Sequence, residues 1–156
     1  DRDHDDHEND AMNLGPQGTA LIKSFEKCSL SAYLPTPDDV PTIGYGHTRE
    51  VSMGDTCTQA QADAWFLEDV AWAEECVNAH VTGVLTQNEF DACVSLCFNI
   101  GCAAFTGSTL LKLLNGHNFD SAALEFEKWN KQHGKVLAGL TRRREAEAKL
   151  FDQEVA

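Results

Sequence analysis

Leu21, Ile22, Phe25 and Cys28 recur at the spacing of one helical face, which predicts a first helix over about residues 18–28 with Lys23 and Lys27 turned to water. Gly15-Pro16-Gln17-Gly18 punctuates its start, and Glu26 flanks its apolar side. Between Leu30 and Tyr45 the period changes. Short apolar stretches at 30–34 and 40–45 enclose Pro35-Thr36-Pro37-Asp38-Asp39, so this segment reads as a small hairpin or three-stranded sheet in which proline excludes helix and fixes the turn.

Helical patterning dominates the rest. Thr58-Gln59-Ala60-Gln61 has the form of a capping box and leads into a helix to about His80, with Phe66, Val70, Ala73 and Val77 on one stripe. A second box, Thr86-Gln87-Asn88-Glu89, precedes Phe90, Cys93, Val94, Cys97 and Phe98 at helical spacing and marks the central buried helix. Shorter helices are expected at 108–114, stopped by Asn115-Gly116, at about 121–131, stopped near Gly134, and at 141–152. Without an internal repeat or linker, residues 15–156 form one α+β domain: a small β-hairpin lobe and a mainly helical lobe, with the expected cleft at their boundary. Residues 1–14 are polar, acidic and unpatterned, and read as a tail.

With 156 residues, 42% of them hydrophobic, the chain can build a core of ordinary size without metal or disulfides. No apolar run approaches the roughly 18 residues of a membrane-spanning helix, so membrane insertion is not expected. No signal-peptide pattern opens the chain, and Asp1 in first place points to a processed or trimmed start. A net charge of −13, from 25 acidic and 12 basic residues, argues against a nucleic-acid partner, because phosphate contacts need concentrated Lys and Arg. Acidic residues crowd the first ten positions, whereas Arg142, Arg143, Arg144 and Lys149 gather near the other end.

Six cysteines (Cys28, Cys57, Cys76, Cys93, Cys97 and Cys102) make an even set without zinc-finger spacing, and favour an oxidising compartment. They allow 15 connectivities. Cys93 and Cys97 lie one helical turn apart on one face, so each is expected to pair elsewhere, with Cys102 a partner for one of them.

Glu26 is the leading candidate for chemistry. A carboxyl that follows Leu21, Ile22 and Phe25 lies close to the core, where partial desolvation keeps a proton available near neutrality, as a general acid requires. Its plainer role is a surface carboxylate at the helix end that disfavours negative charge. Asp38 and Asp39 suit a turn, and one of them could equally be the second carboxylate of an inverting glycosidase, whose two carboxyls stand roughly 6.5–9.5 Å apart. Thr42 fits a strand, and its hydroxyl could hold an attacking water. Gly44-Tyr45-Gly46 lets backbone approach an extended polymer closely. His47 reads as structural, fixed by an acid such as Asp69, and the His4-Asp5-Asp6-His7 cluster on the tail has ligands for a divalent metal but is a weak signal of one, so no metal is expected.

Four separated blocks occur in order: Glu26 with Thr42-Ile-Gly-Tyr-Gly-His-Thr48; Phe98-Asn-Ile-Gly101 with Ser108-Thr-Leu-Leu111; Trp129-Asn130; and Gly139-Leu-Thr-Arg-Arg-Arg-Glu145. Together they resemble the phage-type lysozymes, the endolysin muramidases of glycoside hydrolase family 24, over about residues 18–152. The resemblance implies a two-lobed lysozyme fold that hydrolyses the β-1,4 bond between N-acetylmuramic acid and N-acetylglucosamine in peptidoglycan, without cofactor or metal. It matches Glu26 to the family's general acid and Thr42 to its threonine beside the nucleophilic water.

The family's third member, an Asp or Cys nine residues after the Glu and six before the Thr, has no clean match. Counting forward from Glu26 reaches Pro35, and counting back from Thr42 reaches Thr36, because the sixteen-residue interval is one residue too long. Asp38 or Asp39 as a substitute, Thr36 holding the water, or action without a second carboxylate all stay open. Thr36, Gly44, Tyr45 and Arg142 are candidate substrate contacts, and Arg142, Arg143 and Arg144 either form a local positive patch or pair with Glu145 and Glu147. The resulting expectation is a secreted or exported monomeric muramidase, inverting at the anomeric carbon. A lytic transglycosylase giving anhydromuramic products, or a binding module that has lost hydrolysis, are the other readings.

Overall fold

A computed structural model describes residues 11–154, so the His4-Asp5-Asp6-His7 cluster lies outside the described residues. In chain order the elements are α1 (Pro16–Glu26), β1 (Ser29–Tyr33), β2 (Thr42–Gly44), α2 (Gln59–His80), α3 (Gln87–Ile100), α4 (Cys102–Thr106), α5 (Thr109–Asn115), α6 (Phe119–Glu125), a 3-10 turn (Phe126–Lys128), β3 (Lys131–Gln132), β4 (Lys135–Val136) and α7 (Ala138–Asp152). The class is α+β, as the patterning predicts. The chain divides into two compact units, Ile22–Trp72 and the residues on either side of it, with the divisions falling inside α1 and α2.

In the Ile22–Trp72 unit, Ile22, Ile43, Ala62, Phe66 and Val70 are buried together as the core. Burial of a side chain such as Phe66 contributes about 2 kcal/mol through the hydrophobic effect. Thr58 Oγ1 accepts the Gln61 N–H at 3.1 Å and so starts α2 where the capping signal lies. β1 and β2 pair antiparallel through Ser29 with Gly44 and Tyr33 with Thr42, and the register shifts between these two pairs. The sheet has two strands, to which Thr56 adds a single bridge opposite Ser31. At the end of α1 the backbone of Lys27 turns to φ 56°, so Cys28 leaves the helix and is exposed instead of continuing its apolar face.

The second unit is organised by α3, which carries both halves of the expected capping box: Thr86 Oγ1 accepts the Glu89 N–H at 3.1 Å, and Glu89 Oε1 accepts the Thr86 N–H at 2.9 Å. Residues 88–97 of α3 are all buried. Helix α7 packs along it, and Phe126 meets Phe151 with ring centroids 5.5 Å apart. Asp91 of α3 accepts the N–H groups of Gly15 and Gly18 at 3.0 and 3.1 Å, serving donors that the start of α1 leaves unpaired. Upstream, the N–H groups of Met12 and Leu14 donate to Asn78 and Glu74 of α2, ahead of the residue-15 boundary read from the sequence.

Two expectations are corrected in this unit. The helix expected to reach residue 131 ends at Glu125, and a hairpin follows it, with Lys131 opposite Val136 and Gln132 opposite Lys135. His133 and Gly134, at φ 53° and 81°, form its two-residue turn, the left-handed pair that suits a tight hairpin. Cys102 pairs with Cys76, not with Cys93 or Cys97, which remain buried thiols on α3. Burial pushes the Cys97 thiol up to about 11 and raises Cys93 well above the ordinary range. Of the two roles open to the arginines, pairing with Glu147 holds: Arg143 and Arg144 are buried and bind it, at 3.3 and 2.7 Å, and Arg142 is exposed. Among the described residues no helix is long and apolar enough to cross a membrane.

Candidate active site

Glu26 is the last residue of α1 and is half-buried. A Cβ built on Gly46 would stand 3.3 Å from Glu26 Oε1, so the carboxylate lies against the backbone of the glycine-rich run. That backbone is held in a tight turn: Ile43 and His47 exchange N–H to carbonyl bonds of 2.9 and 2.8 Å across Gly44-Tyr45-Gly46. Both glycines are required there. Gly44 sits at φ +64° with Ala62 Cβ 3.3 Å from any added Cβ, and Gly46 sits at φ +85° facing the acid.

The turn is anchored from two sides. His47 is buried, stacks on Trp65 at 4.4 Å, and places Nδ1 2.7 Å from Asp69 Oδ2. Tyr45 is half-buried with its ring edge on Phe66, and its hydroxyl accepts from Gln59 Nε2 at 3.1 Å. Lys23 Nζ reaches Asp63 Oδ1 at 3.0 Å and lies over the Tyr45 ring at 4.8 Å. The Lys23 hydrogen bond, followed by that of Gln59, holds the Asp63 carboxyl below its ordinary range. Lys23, Gln59, Asp63 and Trp65 escaped the sequence reading. A signal existed for Lys23, which lies one helical turn before Glu26.

Thr42, at the start of β2, is buried and donates its hydroxyl to the Val40 carbonyl at 3.0 Å. The oxygen then presents lone pairs, so a water beside it would be held as a donor. Thr36, Asp38 and Asp39 lie in the exposed turn between β1 and β2. Asp39 closes this turn, donating its N–H to the Thr36 carbonyl at 3.0 Å and accepting the Thr36 hydroxyl at 3.3 Å. The Asp38 carboxylate, by contrast, makes no hydrogen bond or ion pair with the described residues.

The other unit carries Arg142, exposed on α7, and a groove of about 340 Å³ lined by Asn99, Ile100, Trp129, Lys131, Gln132 and Leu140. Three of the separated sequence blocks contribute to it: Asn99 and Ile100, Trp129, and Leu140. Among the described residues one group has metal-binding side chains in reach of one another, Cys76, His80 and Cys102. Both of its sulfurs are committed to the disulfide, which removes the thiolates that a soft metal would need.

The phage lysozyme family model matches residues 23–147. An endolysin of Acyrthosiphon pisum secondary endosymbiont phage 1 is 45% identical over 145 residues, covering 90% of this chain and 99% of that protein. Among solved structures, the muramidase domain of SpmX from Asticaccaulis excentricus is 40% identical with a TM-score of 0.84, covering 91% of this chain and 99% of that one. A lysozyme mutant of phage P22 is 39% identical with a TM-score of 0.82, covering 90% and 98%.

Proposed function

The chain belongs to the phage lysozyme family and is a glycoside hydrolase acting on peptidoglycan, and we propose that it cleaves the muramic acid to glucosamine β-1,4 bond with inversion, using Glu26 as the general acid. The observation that carries this reading is the Glu26 carboxylate set against the exposed Gly46, on a turn whose other glycine, Gly44, is buried against Ala62. Glu26 gives its proton to the glycosidic oxygen as the bond to the anomeric carbon breaks. A water on the opposite face attacks that carbon, donating one hydrogen bond to Thr42 Oγ1. Its departing proton goes to Asp38, the exposed turn carboxylate without a partner among the described residues, while Asp39 holds the turn. The hydroxyl of Thr36 is engaged by that turn, which favours a supporting role for it.

His47 with Asp69, and Tyr45 with Gln59 and Lys23, hold the turn beside the acid. Trp129 and Asn99 in the groove of the other unit offer a ring face and an amide for saccharide binding, and Arg142 offers a charge for anionic stem peptides. The whole of the proposed acid, water and base set lies within one unit of one chain, which supports a monomer. Export to an oxidising compartment is supported by the Cys76–Cys102 disulfide.

Digestion of purified sacculi in 18O-labelled water tests the chemistry. Hydrolysis leaves reducing muramic ends that carry one labelled oxygen, and early NMR spectra show the inverted anomer first. Unlabelled anhydromuramic ends would instead identify attack by the substrate's own 6-hydroxyl. Binding to sacculi without release of any soluble saccharide would contradict both.

A further inference from the structure

Two thiols outside the proposed chemistry lie close together just beyond Glu26. Thr56 bridges Ser31, with the Ala32 N–H donating to Asp55 O and the Cys57 N–H to Leu30 O, each at 2.9 Å. In this antiparallel register Cys57 stands opposite Leu30, and Cys28 lies two residues before Leu30 along the chain. Cys28 Sγ also lies 3.9 Å from Oε1 of Gln59, the residue two beyond Cys57. Cys28 and Cys57 are therefore diagonal neighbours on one face, a relation that spans about 7–8 Å between Cα atoms and less between Cβ atoms.

A disulfide needs Cα atoms within about 7 Å, so closure asks for a shift of about an ångström. The segment able to supply it is Lys27-Cys28, which belongs to neither α1 nor β1. Lys27, Cys28, Ser29 and Tyr33 also line an open recess of about 300 Å³, room for a small disulfide donor to reach the exposed Cys28 sulfur. The Cys57 thiol is raised above its ordinary value, first by burial and then by the Cys28 sulfur, as two neighbouring thiols require.

We propose that Cys28 and Cys57 form a second disulfide that clasps the residue two beyond Glu26 to the segment leading into α2. The Cys28 thiolate attacks one sulfur of a small-molecule disulfide, joining to it and releasing one thiol. The Cys57 thiolate then attacks the Cys28 sulfur, forming the protein disulfide and releasing the second thiol. Two protein thiols and one donor disulfide thus become one protein disulfide and two small thiols. The loop so closed contains β1, β2, the Asp38-Asp39 turn and Thr42. Cross-linking it restricts the unfolded chain and stabilises the unit that carries the acid.

The full chain, with Cys76–Cys102 intact, is incubated with oxidised glutathione, denatured, alkylated with iodoacetamide and mapped by mass spectrometry. The proposal expects two alkylated cysteines, Cys93 and Cys97, where the untreated protein shows four. A reducible peptide pair joins Cys28 to Cys57, and the thermal midpoint rises by about 5 °C or more. Cys28→Ser and Cys57→Ser each abolish both the link and the rise. Four alkylated cysteines, glutathione retained on Cys28, or a link without a thermal shift would each overturn it.

Discussion

Glu26 and Gly46 are in contact through a space that only glycine leaves open: a Cβ on Gly46 would lie 3.3 Å from Glu26 Oε1, at a backbone φ of +85°. Gly46→Ala is expected to displace the acid and lower kcat/KM by about tenfold or more, with about 1 kcal/mol of lost stability from the left-handed backbone. Gly54→Ala is the control, since Gly54 has φ +100° but nothing within 4 Å of an added Cβ. That variant should lose stability and keep its activity. Equal kinetic effects at the two positions would break the link between Gly46 and the acid.

Asp38 and Asp39 are adjacent but unlike. Asp39→Ala removes the acceptor of the Thr36 hydroxyl and should cost no more than about 1 kcal/mol of stability, with activity within a few-fold. Asp38→Ala should lower kcat by orders of magnitude with an unchanged thermal midpoint. Kinetic assays paired with thermal melts separate the two, and small equal effects would remove Asp38 from the mechanism.

Stability near the acid should depend on pH through Asp63. Hydrogen bonds from Lys23 and Gln59 hold its carboxyl below the unfolded value of about 3.9. A depressed folded value means that the contribution is present above the unfolded value and is lost as pH falls through the folded one. The difference in thermal midpoint between the native chain and Asp63→Asn should accordingly shrink from about pH 5 to about pH 3. A difference that holds constant over this range would contradict the assignment.

Glu147 has no exposed surface and binds Arg143 at 3.3 Å and Arg144 at 2.7 Å, with Ser95 donating to it at 2.5 Å. Burial raises the Glu147 carboxyl and lowers the Arg144 guanidinium, so each depends on the other to stay charged. Glu147→Gln should destabilise by about 3–5 kcal/mol in urea unfolding, because it strands buried cations.

What the sequence disclosed follows from the range of its signals. The boxes at Thr58 and Thr86 and the stripe through Phe66, Val70, Ala73 and Val77 are local, and α2 and α3 stand where they place them. The β3–β4 hairpin escaped notice because its strands have two residues each and all of them are exposed, leaving no burial alternation to read. Arg143 and Arg144 look like surface cations until α7 is known to turn them toward α3 and Ser95. The Cys76 to Cys102 pairing joins residues 26 apart on two helices, a contact that no local period encodes. At the site, Glu26 and the Thr42–Thr48 run were legible as one block. The supports around them, Lys23, Gln59, Asp63 and Trp65, are tertiary contacts.

The most direct measurement of the central claim is the rate of sacculus hydrolysis by Glu26→Gln, which preserves the side chain's shape and removes its proton donor. The account expects kcat/KM to fall by at least about 10³ while circular dichroism and the thermal midpoint stay those of the native chain. Hydrolysis within a few-fold of the native rate by that folded variant would contradict it.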